Sequence, residues 1–185
     1  MKLLYMEKVH NGKYLKNYEL TYLNKVGREK KFELVSRKDL ASPAELGAKP
    51  SGVSIVAYQE NKLLLLKEFR MSINKSIFNL CAGMLEEGES IEECIKRELH
   101  EETGLRVKRI ISLLPPSYSA VGFSDTTTYI AFVETQGKLS DHSSENEMIQ
   151  PRFFSKEELA AAMETEEFSS RSQMAAWFFL HGSPY

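Results

Sequence analysis

The sequence predicts a mixed α/β sandwich. Apolar runs bounded by Gly, Pro, Asn or Asp recur along most of the chain, which is typical of strands. Residues 90–105 and two segments beyond residue 154 instead predict helices. Because these helices fall between and after the strands, we expect helical layers packed on a sheet.

The first 38 residues are expected to form short antiparallel strands. An Asn-Gly pair predicts a tight turn between the first two strands, and residues 24–29 predict a second, looser hairpin. The turn-rich stretch 38–52 then marks a boundary. We therefore expect an N-terminal antiparallel segment, residues 1–48, followed by a main domain, residues 49–185.

Most strands of the main domain are predicted from apolar runs. Residues 52–70 hold two such runs, which predict a hairpin with mostly buried strands. Further strands are expected at residues 107–114, 126–135 and 149–154. Ser155 and Glu158 fit a capping box that begins a second helix, and residues 169–182 predict the last helix.

The helix predicted at residues 90–105 has clear signals at both ends. Ser90 is a favourable N-cap, and Glu93, three residues later, completes a capping box. Gly104 suits the left-handed position that follows a helix. The helix is therefore expected to end near Thr103.

The last two turns of this helix carry Glu98, Glu101 and Glu102. These carboxylates stand at the negative end of the helix dipole, and two of them project into the same arc as the apolar Leu99. Like charges about 4 Å apart repel by roughly 4 kcal/mol at an effective dielectric near 20. The cluster therefore requires a cation, and Arg97 is expected to lie off this face of the helix.

A bound metal ion is the better candidate for this cation. The ligands would all be oxygens, which favour Mg²⁺ or Mn²⁺ over Zn²⁺. The alternative is an exposed acidic helix end without a bound ion. The helix alone leaves both open.

Composition excludes several classes of protein. The formal net charge of -2 leaves no basic surplus for wrapping nucleic acid, and we expect no nucleic-acid partner. No apolar run approaches the ~18 residues of a membrane span, so no membrane association is expected. Cys81 and Cys94 are too few for a disulfide framework, which favours a reducing, cytoplasmic location.

From Gly83 onwards, the stretch GMLEEGESIEECIKRELHEETGL fits the pattern G-x5-E-x7-R-E-U-x-E-E-x-G-U, where U is aliphatic. The fixed positions are Gly83, Glu89, Arg97, Glu98, Leu99, Glu101, Glu102, Gly104 and Leu105. This is the Nudix box, so the chain resembles the Nudix hydrolases. The resemblance implies a Nudix-type α/β/α sandwich with a mixed β-sheet, preceded here by the antiparallel segment. It also implies hydrolysis of a nucleoside diphosphate linked to another group.

The resemblance implies roles for the motif residues. In the family, the glutamates at the positions of Glu98, Glu101 and Glu102 bind divalent cations, and the arginine at Arg97 orients them by ion pairing. The backbone carbonyl at Ala82 lies near the metal. Three further positions are structural parts of the motif: Gly83, Glu89 and Gly104. The general base stays open among four carboxylates, namely Glu98, Glu101, Asp125 and Glu147.

Within the family, the chain resembles the ADP-ribose pyrophosphatase branch. The strand that ends at Arg70, and the stretch IFNLCAGMLEEGE after it, carry this resemblance. It implies that Arg70 binds phosphate, that Phe32 stacks on the base and that Arg37 reaches phosphate. In that branch the N-terminal strands help to build a homodimer, and we expect one here.

Four positions depart from the pattern of that branch: Asn79, Cys81, Val121 and Thr126. The predicted function is metal-dependent hydrolysis of a nucleoside diphosphate sugar, with ADP-ribose giving AMP and ribose 5-phosphate. The departures leave other sugars open, and so are a dinucleotide or a coenzyme A derivative. A sensor that binds a nucleotide sugar without turnover is the alternative from another class.

Overall fold

The computed structural model describes residues 1–140 and 145–182. Within them the chain forms ten strands, three α-helices and a short 3-10 turn. The chain divides into two compact units. The first comprises Met1–Ser51 and Pro116–Thr128, and the second comprises the described parts of Gly52–Pro115 and Tyr129–Tyr185. The predicted boundary after residue 48 stays a prediction.

The first unit contains a three-stranded antiparallel sheet. Its strands, in spatial order, are β1 (Lys2–Asn11), β2 (Lys16–Leu23) and β3 (Glu29–Ser36). The two expected hairpins are present, with Asn11 opposite Lys16 in one and Leu23 opposite Glu29 in the other. One face of the sheet packs on a small core of Tyr18, Leu20, Leu34 and Leu40.

The second unit is built on a seven-stranded mixed sheet. Its main path runs β10-β5-β4-β9-β8, while β6 pairs with β5 and β7 pairs with β4. The strands are β4 (Gly52–Gln59), β5 (Lys62–Arg70), β6 (Lys75–Asn79), β7 (Cys81–Met84), β8 (Arg106–Tyr118), β9 (Thr127–Gln136) and β10 (Ile149–Phe154).

Strand β8 is longer than the sequence predicted, because it continues through Pro115 and Pro116. Proline lacks the N–H that a central strand needs for its ladder, so it interrupts most strands. β8 lies at the end of the sheet order. An edge strand needs bonds on one side only, which explains why both prolines are tolerated.

Helices cover both faces of the sheet. The four consecutive leucines of β5, Leu63 to Leu66, are each at most 1% exposed. Leu64 and Leu66 pack in the core that includes α1 (Ile91–Thr103), because alternate strand residues share a face. Their neighbours pack in a second core with α2 (Lys156–Thr165) and α3 (Ser170–His181). The predicted α/β sandwich is confirmed.

The local helix signals also hold. The Ser90 hydroxyl accepts the backbone N–H of Glu93, whose carboxylate accepts the backbone N–H of Ser90. The same reciprocal box forms at Ser155 and Glu158. Gly104 adopts the left-handed conformation, with φ 73°, so α1 ends where expected. Among the described residues, no helix is long and apolar enough to span a membrane.

Candidate functional site

Arg97, in the second turn of α1, holds the candidate site together. Its Nε and Nη2 donate to the two carboxylate oxygens of Glu89 at 2.8 and 2.9 Å. Its Nη1 donates to Glu98 at 2.8 Å and to Glu101 at 3.2 Å. Nη2 also donates to the Met84 carbonyl at 2.9 Å. One guanidinium therefore ties the loop before α1 to the acidic end of the helix.

The two hydrogen bonds from Arg97 to Glu89 keep the Glu89 carboxylate ionised. Hydrogen bonds from the guanidinium, and then from the backbone N–H of Glu86, lower the pKa of Glu89 to about 2. Glu89 therefore stays ionised at any physiological pH. It fixes the orientation of Arg97 by two parallel charge-assisted bonds.

Helix geometry predicts that Arg97 lies off the glutamate face and is not the cation of the cluster, and this prediction is wrong, because its guanidinium bonds to Glu98 and Glu101. Helix geometry places the Cα atom of Arg97, whereas its long flexible stem lets the guanidinium reach around the helix. Glu98 and Glu101 therefore do have an internal cation. Glu102 does not, because no cation pairs with it in the described part of the chain.

Glu98 lies directly on the backbone of β7. Its side chain is 12% exposed. Burial raises its pKa above the usual value, and the bond from Arg97 opposes this rise. A Cβ added to Gly83 would stand 1.7 Å from the Glu98 carboxyl carbon. The motif therefore needs glycine at position 83, because the space of a side chain there is filled by the carboxylate.

Glu102 is the most buried of the three glutamates. Its carboxylate accepts the backbone N–H of Ala82 at 3.1 Å. Burial raises the pKa of Glu102 to about 8, although bonds from the Cys81 thiol and the Ala82 N–H oppose the rise. The charges of Glu98 and Glu68 raise it further. Glu102 is thus a largely buried carboxyl without a counter-ion.

Glu68 was missed by the sequence reasoning, which singled out only Arg70 on this strand. The Glu68 carboxylate forms an ion pair with Nη1 of Arg70 and accepts the side-chain amide of Asn79 at 2.9 Å. Its charge acts on Glu102. Strand alternation could have found it, because residue 68 follows Leu64 and Leu66 on the face that packs towards α1.

The other candidate bases have different surroundings. Glu101 is 55% exposed and accepts a hydrogen bond from Nη1 of Arg97 at 3.2 Å. Glu147 is exposed and precedes Met148, whose carbonyl accepts the backbone N–H of Phe69 in β5 at 3.0 Å. Asp125 is buried in the first unit, where it accepts the backbone N–H of Gly47 at 3.3 Å.

Phe32 and Arg37 also lie in the first unit. Phe32 is 37% exposed on β3 and lines a cavity of about 430 Å³. Other residues of that wall are Tyr22, Leu46, Tyr118, Val121 and Asp125. Arg37 is exposed, just after β3. Phe32, Val121 and Asp125, which were singled out separately, thus border one cavity.

A larger cavity, of about 1090 Å³, lies on the opposite face of the main sheet from α1. Its walls include Val56 and Phe132 of the sheet and Phe179 of α3. None of the motif glutamates borders it. Cavity size alone therefore does not locate the candidate catalytic site. The carboxylates and Arg97 indicate it instead.

The donor set at the end of α1 suits a hard divalent cation. Within residues 1–140 and 145–182, no three His, Cys, Asp or Glu side chains are already grouped as metal ligands. The available donors are nevertheless oxygens of carboxylates and backbone, which Mg²⁺ and Mn²⁺ prefer. The unpaired, largely buried Glu102 carboxyl, with its pKa of about 8, is the group that a bound cation would stabilise in its ionised form.

Comparisons with known proteins agree with this site. A family model described as NUDIX domain matches residues 48–178. The ADP-ribose pyrophosphatase of Bacillus subtilis is 32% identical over 102 residues, which cover 55% of this chain and 55% of that protein. The ADP-sugar pyrophosphatase of Mus musculus is 29% identical over 139 residues, which cover 71% and 60% respectively.

The chain spans less than two thirds of the length of these curated relatives. A solved structure described as an ADP compounds hydrolase superposes with a TM-score of 0.74 at 17% identity, covering 97% of this chain and 91% of that one. At this identity the superposition supports the fold. Because the matched domain spans most of the chain and contains the whole acidic motif, the chain belongs to the Nudix hydrolase family and resembles its ADP-ribose pyrophosphatases.

Proposed function

We propose that this protein hydrolyses the pyrophosphate bond of a nucleoside diphosphate sugar. ADP-ribose is the favoured substrate, with AMP and ribose 5-phosphate as products. The observation that carries the reaction is the acidic end of α1, where Arg97 holds Glu98 and Glu101, and where Glu102 is largely buried without a cation partner among the described residues. The choice of substrate follows the relatives, which include ADP-ribose and ADP-sugar pyrophosphatases.

We propose Mg²⁺ or Mn²⁺ as the cofactor. Glu98, Glu101, Glu102 and the carbonyl of Ala82 would hold it. When bound, the ion neutralises phosphate oxygens and lowers the pKa of a water molecule. Family membership supports the need for a divalent cation.

Arg97 is proposed to position the carboxylates of this site. It is itself held by Glu89 and by the Met84 carbonyl, so its Nη1 is presented to Glu98 in a fixed direction. Glu98, Glu101 and Glu147 are the proposed acceptors of the proton that the attacking water loses. Asp125 stays the fourth candidate, although it already accepts the N–H of Gly47.

Three residues are proposed to bind the substrate. Arg70 would bind the diphosphate, Phe32 would stack on the base and Arg37 would reach phosphate. The aromatic walls of the cavity beside Phe32 support a planar ligand there. We also propose a homodimer and, from the cysteine content, a cytoplasmic location.

Product analysis with purified protein and Mg²⁺ tests this function. The panel is ADP-ribose, UDP-glucose, GDP-mannose, a diadenosine polyphosphate and coenzyme A. We expect AMP and ribose 5-phosphate from ADP-ribose, and no turnover by the Glu102→Gln variant. Turnover of another compound alone would keep the chemistry and refute the substrate. Binding of ADP-ribose without turnover would favour a sensor instead.

A further inference from the structure

Glu68 and Arg70 lie two residues apart on β5 and form an ion pair on the same face of the strand. The Glu68 side chain is 16% exposed, while that of Arg70 is 47% exposed. The anchored partner of this pair is therefore the carboxylate, and the arginine extends from it towards solvent.

Both oxygens of the Glu68 carboxylate are in use. Oε1 accepts from Nη1 of Arg70, and Oε2 accepts from Nδ2 of Asn79 at 2.9 Å. A carboxylate with one oxygen on each partner has a fixed plane and direction. The direction in which Glu68 presents Oε1 to Arg70 is thus set by Asn79.

The amide of Asn79 is fixed in turn. Its Oδ1 accepts the hydroxyl of Ser169 at 2.8 Å and the backbone N–H of Leu80 at 3.0 Å. This leaves Nδ2 to face Glu68. Ser169 is the N-cap of α3 and donates its own backbone N–H to the Phe78 carbonyl at 2.9 Å. A continuous chain of hydrogen bonds therefore runs from the start of α3 through Asn79 and Glu68 to Arg70.

We infer that Glu68 is a positioning residue, which Asn79 holds in place and which orients the guanidinium of Arg70 for the phosphate groups of the substrate. This inference rests on the proposed function, in which Arg70 binds the diphosphate. A half-exposed arginine otherwise samples many rotamers, and ordering them on binding weakens affinity. The same geometry explains why residue 79 is an asparagine: an aspartate there would place its carboxylate against that of Glu68.

Exchanging the acid at position 68 with the amide at position 79 tests the inference. Glu68→Gln leaves an N–H group against either Asn79 or Arg70, so KM for ADP-ribose should rise about tenfold while kcat changes less. Asn79→Asp places two carboxylates together and should weaken binding at least as much. In the double variant the new amide donates to the new aspartate and its oxygen accepts from Arg70. We expect KM to return to within about threefold of the wild type.

Controls separate this role from others. Glu134→Gln removes the acid of another ion pair on the same sheet, with Lys108, and should leave KM unchanged. In an Arg70→Ala background, Glu68→Gln should raise KM no further, because it acts through Arg70. A further rise of KM in that background, or no rescue by the exchange, would each overturn the inference.

Calorimetric binding of AMP in the presence of Mg²⁺ separates the two proposals. Absence of turnover of every compound in the panel refutes the proposed function. In that case the positioning inference is tested by AMP binding alone. Weaker binding of AMP by Glu68→Gln, with affinity restored in the double variant, supports it. Equal binding by all variants, or no binding by the wild type, overturns it.

Discussion

Replacing Glu102 with glutamine should stabilise the metal-free protein while removing activity. Burial raises the pKa of Glu102 from 4.5 to about 8. The folded state therefore keeps a proton that the unfolded chain releases between these two values. Because the folded state binds more protons in this window, its free energy of unfolding falls as the pH rises from 4.5 to about 8.

The size of the effect follows from the two pKa values. Each unit of difference corresponds to about 1.4 kcal/mol. At pH 7 Glu102 is ionised in the unfolded chain but still mainly protonated in the folded state. Its ionisation at this pH therefore stabilises the unfolded state. Glutamine has no charge to lose. The advantage of Glu102→Gln over the wild type should therefore grow by on the order of 3 kcal/mol between pH 4.5 and pH 7.

Urea unfolding in EDTA at half-unit steps of pH would measure this difference. The matched control is Glu101→Gln, the same change one residue earlier on a side chain that is 55% exposed. Its stability difference from the wild type should stay within about 1 kcal/mol across the range, as for other surface ion pairs. With Mg²⁺ added, Glu102→Gln should lose turnover by at least about 100-fold. If this variant and the wild type showed the same dependence on pH, the buried and unpaired state of Glu102 would be refuted.

Three further predictions concern α1 and the glycine of β7 that packs against it. Gly83→Ala should lower kcat by at least about tenfold, because its Cβ would displace the Glu98 carboxylate; a kcat equal to the wild type would contradict the packing. Arg97→Lys keeps the charge but loses the fork to Glu89, so we expect a fall in kcat of about 10- to 100-fold and a lower Tm, both measured on one preparation. Ser90→Ala removes the N-cap and should cost about 1 kcal/mol in urea unfolding without changing KM; an altered KM would mean that the cap also shapes the site.

Local chemistry explains which parts of the fold were predictable. The ends of α1 follow from Ser90 and Gly104, since a capping hydroxyl and a left-handed glycine act within a few residues of themselves. The buried hairpin of β4 and β5 follows from its continuous apolar runs, because a strand covered on both faces has no polar side. Neither prediction needed any contact between distant parts of the chain.

The missed features depend on such contacts. Asn79 faces Glu68 only because β6 pairs with β5 in one particular register, which the sequence does not display. The reach of Arg97 to Glu98 depends on how Glu89 and the Met84 carbonyl hold the guanidinium. A helical wheel places Cα atoms and cannot follow a long side chain across a loop. Long polar side chains are therefore where prediction from the sequence was weakest.

The charges around the site also connect the two proposals. Two guanidiniums, those of Arg70 and Arg97, contact four carboxylates, and a fifth carboxylate, Glu102, contacts neither of them. The four are Glu68, Glu89, Glu98 and Glu101. Such a region repels an anionic diphosphate unless a further cation enters it. Binding of the cation and of the substrate should therefore favour each other, since each reduces the repulsion that the other meets. In the proposed function, Glu68 holds the guanidinium of Arg70 by their ion pair, so that the arginine meets the phosphate groups in a fixed direction.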